Sequence, residues 1–279
     1  MRGPHCLHES EDNWETSIGA CFPQEGRAVL RGRDLLKELA GTPWMGLLLY
    51  GITGREFDAA QIKLFEGIWT ISDSYPDPRL WNNRVAALAG TARSTAALAV
   101  GAATAISEAS IYGRRPDIRA IDLLYRMKRQ TDQGMGLGAL VKAELTKYRS
   151  LPGYGRPLRS KDERIDPLMA LAQRLGFTDG SHVRLAFAIE QALAEGRWRF
   201  SMNVAALCAA LAADQGLSTR QFYHYSLLSF TVGILACHID ASAKPEGTLF
   251  PLRCARIDYS GKGHRSWGEH APPTADSPC

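Results

Sequence analysis

LPGYGRPLRSKDER, residues 151–164, is the stretch on which the reading of the chain turns. Two glycines flank an aromatic residue and make a turn, and Arg156 follows where that turn points. Helical patterns stand on either side, Leu140–Tyr148 before it and Ile165–Leu175 after it, so the stretch is a shaped interruption between helices. A guanidinium held by a rigid turn is a bidentate donor for a carboxylate or phosphate. The other reading of Arg156 is a structural pair with the nearby Glu163.

Outward from the turn the helical patterns continue. The spacing of apolar residues predicts a short helix over Arg33–Leu39 with Asp34 at its start. Another is opened by Pro43 and stopped by Gly51, and further helices follow at Phe57–Ile71, Ile118–Met127, Val183–Glu195, Val204–Ala213 and Arg220–Cys237. Arg84–Ala109 reads as one long Ala-rich helix whose small side chains let neighbours approach closely and bury it. Alternating patterns are few and allow a small hairpin near the start, so the class is all-α. No internal repeat is evident, and the polar stretch 264–279, with two adjacent prolines, reads as a frayed tail.

A chain of 279 residues at 45% hydrophobic content can bury one large core or two lobes sharing one. A formal charge of +4 with 22% charged residues and no dense Lys/Arg tract gives no nucleic-acid face. The start MRGPHCLHESEDNW lacks an apolar signal region, and the low-charge stretch Ser94–Ser107 is too short to span a bilayer, so the expectation is a cytoplasmic protein with no membrane partner. The six cysteines have no C-x-x-C spacing, which suggests neither a disulfide framework nor a metal site.

Six blocks in order give the chain, from about Trp14 to Trp267, a resemblance to the citrate synthase and citryl-CoA lyase superfamily. VLRGRDLLKELAGTPWMGLLLYGITGREF resembles the opening "RGydl-x-L... LLlyGelP", and DPRLWNNRVAAL, Asp77–Leu88, falls where the family has "DHg-x-x-PS-x-x-aaR". SIYGRRP stands at "plHGGA", GYGRPLRSKDER at "GfGH-x-v-y-x-x-DPR", SMNVAALCAAL at "pNVDfyt-x-xl" and RIDYSG at "RqlYtG". The resemblance implies a large helical lobe, 13–112 with 217–267, a smaller mobile helical lobe, 113–216, and tails at 1–12 and 268–279. It also implies a homodimer made by antiparallel helices, a role that fits the Ala-rich segment, and lobe closure over a ligand.

In that family a histidine and an aspartate enolise the acyl-CoA, a second histidine polarises the keto acid, and a further histidine with three arginines holds the dicarboxylate. Here those positions read Tyr112 for the enolising histidine, Arg156 for the loop histidine, Ala205 for the aspartate, Pro78 for the "DH" histidine and Phe230 for one arginine. Arg164 matches the arginine of DPR, while Arg253 and Arg256 flank the terminal arginine's position, which is Cys254. Ala205 supplies no base, Arg156 stays protonated, and Tyr112 would need a pKa lowered by several units to become one.

The expected site therefore has Tyr112 and Arg156 as catalytic donors, with Tyr112 alternatively packing at the lobe junction. Arg164, Arg253, Arg256 and Asn83 are the expected substrate-binding residues, and Gly153, Tyr154 and Gly155 those that approach coenzyme A. Arg114, Arg115, Arg159 and Lys161 offer charge to CoA phosphates. His224 and His238 read as core or boundary histidines or as a replacement base, and Asp77 and Glu108 as capping or surface carboxylates. Two functions follow: a protein with a rebuilt site acting on a carboxylated substrate or CoA thioester in carbon–carbon bond formation or cleavage, or a catalytically silent homologue that binds an anionic metabolite or protein partner. Unrelated chemistry in the old cleft is a third.

Overall fold

A computed structural model describes residues 3–9, 11, 15–73, 75–110, 112–156, 161–196, 198, 200–248, 256, 258 and 260–263. Helix α1 covers Pro4–Glu9, and an antiparallel sheet follows with β1 Gly19–Phe22, β2 Arg27–Leu30 and β3 Arg33–Asp34 in that order. Then come α2 Trp44–Thr53, α3 Ala59–Ser72, α4 Trp81–Thr91, α5 Ala96–Ile106, α6 Arg114–Asp132 and α7 Leu137–Tyr148. The rest are α8 Ile165–Leu175, α9 Ser181–Glu195, α10 Val204–Asp214, α11 Thr219–Ser226 and α12 Thr231–Ser242. The all-α class holds, with the hairpin widened by one short strand.

Four expected elements come out differently, each for an identifiable reason. Arg33–Leu39 is a strand end and a turn, because Asp34 Oδ1 accepts the backbone N–H of Leu36 at 2.9 Å and of Lys37 at 3.0 Å and so competes with a helix. The α2 helix runs past Gly51 to Thr53 and is stopped by Gly54 in the left-handed conformation. Arg84–Ala109 is broken into α4 and α5 at Arg93, which takes the left-handed conformation with φ 59°. Its guanidinium reaches Ser242 O and, at 2.8 Å, Lys244 O at the end of α12, while Thr95 caps α5.

Arg220–Cys237 is likewise two helices, with residues 227–230 as a turn that brings Ser229 and Phe230 over the start of α6. The span Thr219–Ser242 is long and apolar enough to cross a membrane by composition, yet Phe222, Tyr225 and Ile234 within it are buried in the folded chain.

One large hydrophobic core joins α2, α3 and α6–α11, with Phe65, Leu124, Met127, Ile189 and Leu207 fully enclosed. The core crosses residues 113 and 216, the expected lobe boundaries, because α3 packs on α8 and α10 while α11 packs on α6. A second packet holds α4, α5 and α12 around Ala86, Ala103 and Ile234. Small residues allow the close approach: a Cβ on Gly90 would stand 2.7 Å from His238 O of α12. The outer face of α5 carries no charge and leaves Leu98 67% exposed.

Candidate functional site

The Gly-Tyr-Gly turn is fixed onto the start of α10. Gly153 and Gly155 have φ of 84° and 87°, and a Cβ on Gly153 would lie 2.6 Å from that of Ala206. Gly153 O accepts Asn203 N at 2.9 Å, Gly155 N donates to Ser201 O at 2.7 Å, and Asn203 Nδ2 donates to Gly155 O at 2.9 Å. The buried Tyr154 hydroxyl donates to Ala186 O at 2.8 Å on α9.

The turn presents Arg156 to internal carboxylates: its Nη1 lies 2.6 Å from Glu163 Oε2 and 3.6 Å from Asp162 Oδ1. Glu163 also accepts the Tyr75 hydroxyl at 2.8 Å, and the Arg156 hydrogen bond, ahead of backbone and Tyr75 donors, lowers its carboxyl to about 2. Arg164 grips the fully buried Asp162 through Nε at 2.9 Å and Nη2 at 2.8 Å. Asp162 Oδ2 also accepts Val204 N at 2.9 Å, so one carboxylate ties the arginine loop to the first turn of α10. Burial pushes the Asp162 pKa up, but the Arg164 and Val204 hydrogen bonds and the Arg164 charge outweigh it and hold it below the usual range.

A cavity of about 360 Å³ opens beside this loop, lined among others by Tyr112, Arg156, Arg164, Ala205 and Phe230. The Tyr112 hydroxyl lies 3.2 Å from Asn82 Oδ1 on α4, and its ring stacks on Phe230 at 5.9 Å and meets Trp81 edge-on at 5.6 Å. Two further charged residues line the cavity at the start of α6: Arg114, expected to offer charge to CoA phosphates, and Asp117, which the motifs do not single out. Arg114 is 1% exposed, with Nη1 2.9 Å from Asp117 Oδ2, Nη2 2.6 Å from Ser229 Oγ, and its guanidinium carbon 3.7 Å from the Phe230 ring centroid. Desolvation raises the Asp117 pKa against the opposing charges of Arg114 and Arg164. Asp117 sits five residues past Tyr112, and its i, i+3 spacing from a buried arginine is visible in the sequence, but burial of the pair is not.

No protein-family model and no curated protein matches the chain. Among solved structures it is similar to citryl-CoA lyase from Hydrogenobacter thermophilus, with a TM-score of 0.78, 18% identity, and 91% of this chain and 97% of that chain covered. The fold is citrate synthase-like.

The citrate synthase-like fold also matches an ATP citrate lyase from Methanosaeta concilii in complex with (3S)-citryl-CoA, with a TM-score of 0.73, 15% identity, and 94% of this chain but 45% of that chain covered. A citrate synthase from Thermoplasma acidophilum, in a ternary complex with carboxymethyl coenzyme A and oxaloacetate, gives a TM-score of 0.61 and 16% identity over 81% of this chain and 59% of that one.

The remaining expected residues are distributed as follows. Gly155 lines the cavity, while Gly153 and Tyr154 hold the turn behind it. Asn83 is buried and donates through Nδ2 to Tyr75 O and, at 3.3 Å, to Asp77 O, which anchors the 75–77 loop. Arg256 is exposed and away from the cavity lining; Arg253 and Arg159 lie outside the described residues. His238 Nε2 lies 3.1 Å from Ser94 O on the α12 side, and His224 is exposed, so neither faces the cavity. Among the described residues no cluster of three or more His, Cys, Asp or Glu could hold a metal.

Proposed function

We propose that the chain binds a carboxylated substrate together with, or as, a CoA thioester in the cavity beside the Gly-Tyr-Gly turn. There it would make or break a carbon–carbon bond by a route that does not use the family's histidines. One observation carries this reading: positions 112, 156, 164, 205 and 230, far apart in sequence, line one cavity. Replacement there has kept donors, since the Arg156 and Arg164 guanidiniums both line the cavity. The ligands of the neighbours, citryl-CoA in the Methanosaeta concilii enzyme and carboxymethyl coenzyme A with oxaloacetate in the Thermoplasma acidophilum enzyme, define the probes.

The same reading takes the protein to the cytoplasm as a homodimer, with the uncharged outer face of α5 as the contact, and keeps 113–216 as the lobe that closes on the ligand. A second reading, a silent member that binds an anionic metabolite or a protein partner, is favoured by the pairing of Arg156 and Arg164 with Glu163 and Asp162, which leaves neither guanidinium waiting for an anion.

Thermal-shift measurements with CoA, acetyl-CoA, oxaloacetate and citrate test both, because a ligand bound only by the folded state raises the melting temperature. The expected result is a rise with a CoA compound or a dicarboxylate, followed by turnover of that pair. A rise without turnover favours the silent reading, and no rise with any of the four removes both the substrate class and the metabolite.

A further inference from the structure

We infer that Arg114 and Asp117 form the working charged pair of this cavity, Arg114 donating to a substrate oxyanion or carboxylate and Asp117 taking the proton from the carbon next to the thioester carbonyl. This rests on the function proposed above and names the groups that would perform it.

The geometry separates this pair from the other ions around the cavity. Arg156 and Arg164 are held by Glu163 and Asp162, and Asp162 spends its oxygens on Arg164 and on Val204 N. Arg114 is enclosed as completely as a core leucine, yet its Nε is buried with no hydrogen-bond partner among the described residues. A buried charged donor left unmade is costly, and such a group in a cavity wall points to an oxygen that arrives with a ligand. Asp117 is engaged by Arg114 through Oδ2, and among the described residues no group donates to its Oδ1. Both residues lie one turn apart on the same face of α6.

Their surroundings place them where charge is missing. Ala205 and Phe230 occupy positions at which the resemblance expects an aspartate and an arginine, and both line the cavity with the pair. The Arg114 guanidinium lies over the Phe230 ring, so a cation from α6 stands beside the position that has lost one. Asp117 is near enough to Cys208, one turn beyond Ala205 on α10, for its charge to add to burial in raising that thiol. Burial likewise lifts the Asp117 carboxyl, as a base working near neutrality requires.

In the step itself the C–H bond next to the thioester carbonyl breaks, its proton passes to Asp117 Oδ1, and its electron pair moves onto the carbonyl oxygen, where the Arg114 N–H group meets the enolate charge. Reprotonation from solvent returns the thioester, so the step is visible as deuterium entering the acyl group without any second reaction.

The test incubates the full chain with acetyl-CoA in deuterium oxide, with and without malate as a non-reacting dicarboxylate, and follows deuterium in the acetyl methyl group by mass spectrometry; thermal shifts with acetyl-CoA and citrate are read in parallel. Asp117→Asn should slow exchange by about 100-fold or more while the acetyl-CoA shift is kept. Arg114→Lys should weaken citrate binding about tenfold and slow exchange with it. Should Asp117→Asn fail to fold, Asp117→Glu keeps the charge but moves the carboxylate, and exchange must fall in it too. Wild-type exchange in either Asp117 variant, or undiminished citrate affinity in Arg114→Lys, overturns the pair alone. Binding without exchange in the wild type overturns the base. Neither binding nor exchange overturns the proposed function and this assignment together.

Discussion

Two arginine–carboxylate groups send arginines into the wall of one cavity and differ in how completely their buried hydrogen-bonding atoms are met. In the 156–164 loop, Asp162 takes two hydrogen bonds from Arg164 and Glu163 one from Arg156, and Asp162 also holds the first turn of α10. At the start of α6, Arg114 and Asp117 are joined by one bond, with a buried N–H left over and a carboxylate destabilised by desolvation. The same residue types make a structural joint where, among the described residues, no buried side-chain donor or acceptor lacks a partner, and an incompletely satisfied pair where one does.

Asp162→Ala should have the largest effect on stability, about 3–5 kcal/mol, since it leaves Arg164 and Val204 N without their buried partner. Urea unfolding measures it, and a loss below about 1 kcal/mol would end the distinction between joint and site. Gly153→Ala should cost about 1–3 kcal/mol, because its methyl group would overlap Ala206 and the backbone is left-handed there. A neutral result would show that the turn is not clamped to α10.

Acid titration sharpens the contrast through its sign. The Asp162 carboxyl is held below its ordinary value, so its contribution is complete above the usual aspartate range and is lost as pH falls through the lowered folded value. Asp117 is shifted the other way, so its contribution is complete below that range and is lost as pH rises through the raised folded value. With rising pH the stability gap between wild type and Asp162→Asn should widen and that between wild type and Asp117→Asn should narrow. Parallel gaps would mean that the two carboxylates do not differ. The smallest stability effect is expected for Arg156→Ala, below about 1 kcal/mol, because its Glu163 partner is 44% exposed. Its signature is a weaker citrate-induced thermal shift instead.

Much of the helix pattern was legible because apolar spacing repeats with the helix period: α8 starts and ends where the spacing predicts, and α7, α9 and α10 differ by a few residues at one end. The breaks at Arg93 and at 227–230 were not, since they depend on partners distant in the chain, Arg93 being held by carbonyls at the end of α12. The turn around Tyr154 was readable from its glycines, and Glu163 was readable as a possible partner of Arg156. Asp77 and Glu108 are the carboxylates that stand near the motifs in sequence, yet of these and Asp117 it is Asp117 that lines the cavity.

By itself, then, the sequence determined the all-α class, the order of helices and the turn that carries Arg156, because propensity, periodicity and glycine geometry act within a few residues. Only the tertiary structure decided which charges are spent on one another and which are not. Burial and hydrogen-bond saturation are set by the helices that close around a group, here α6, α10 and the 227–230 turn around Arg114, and no local pattern encodes them.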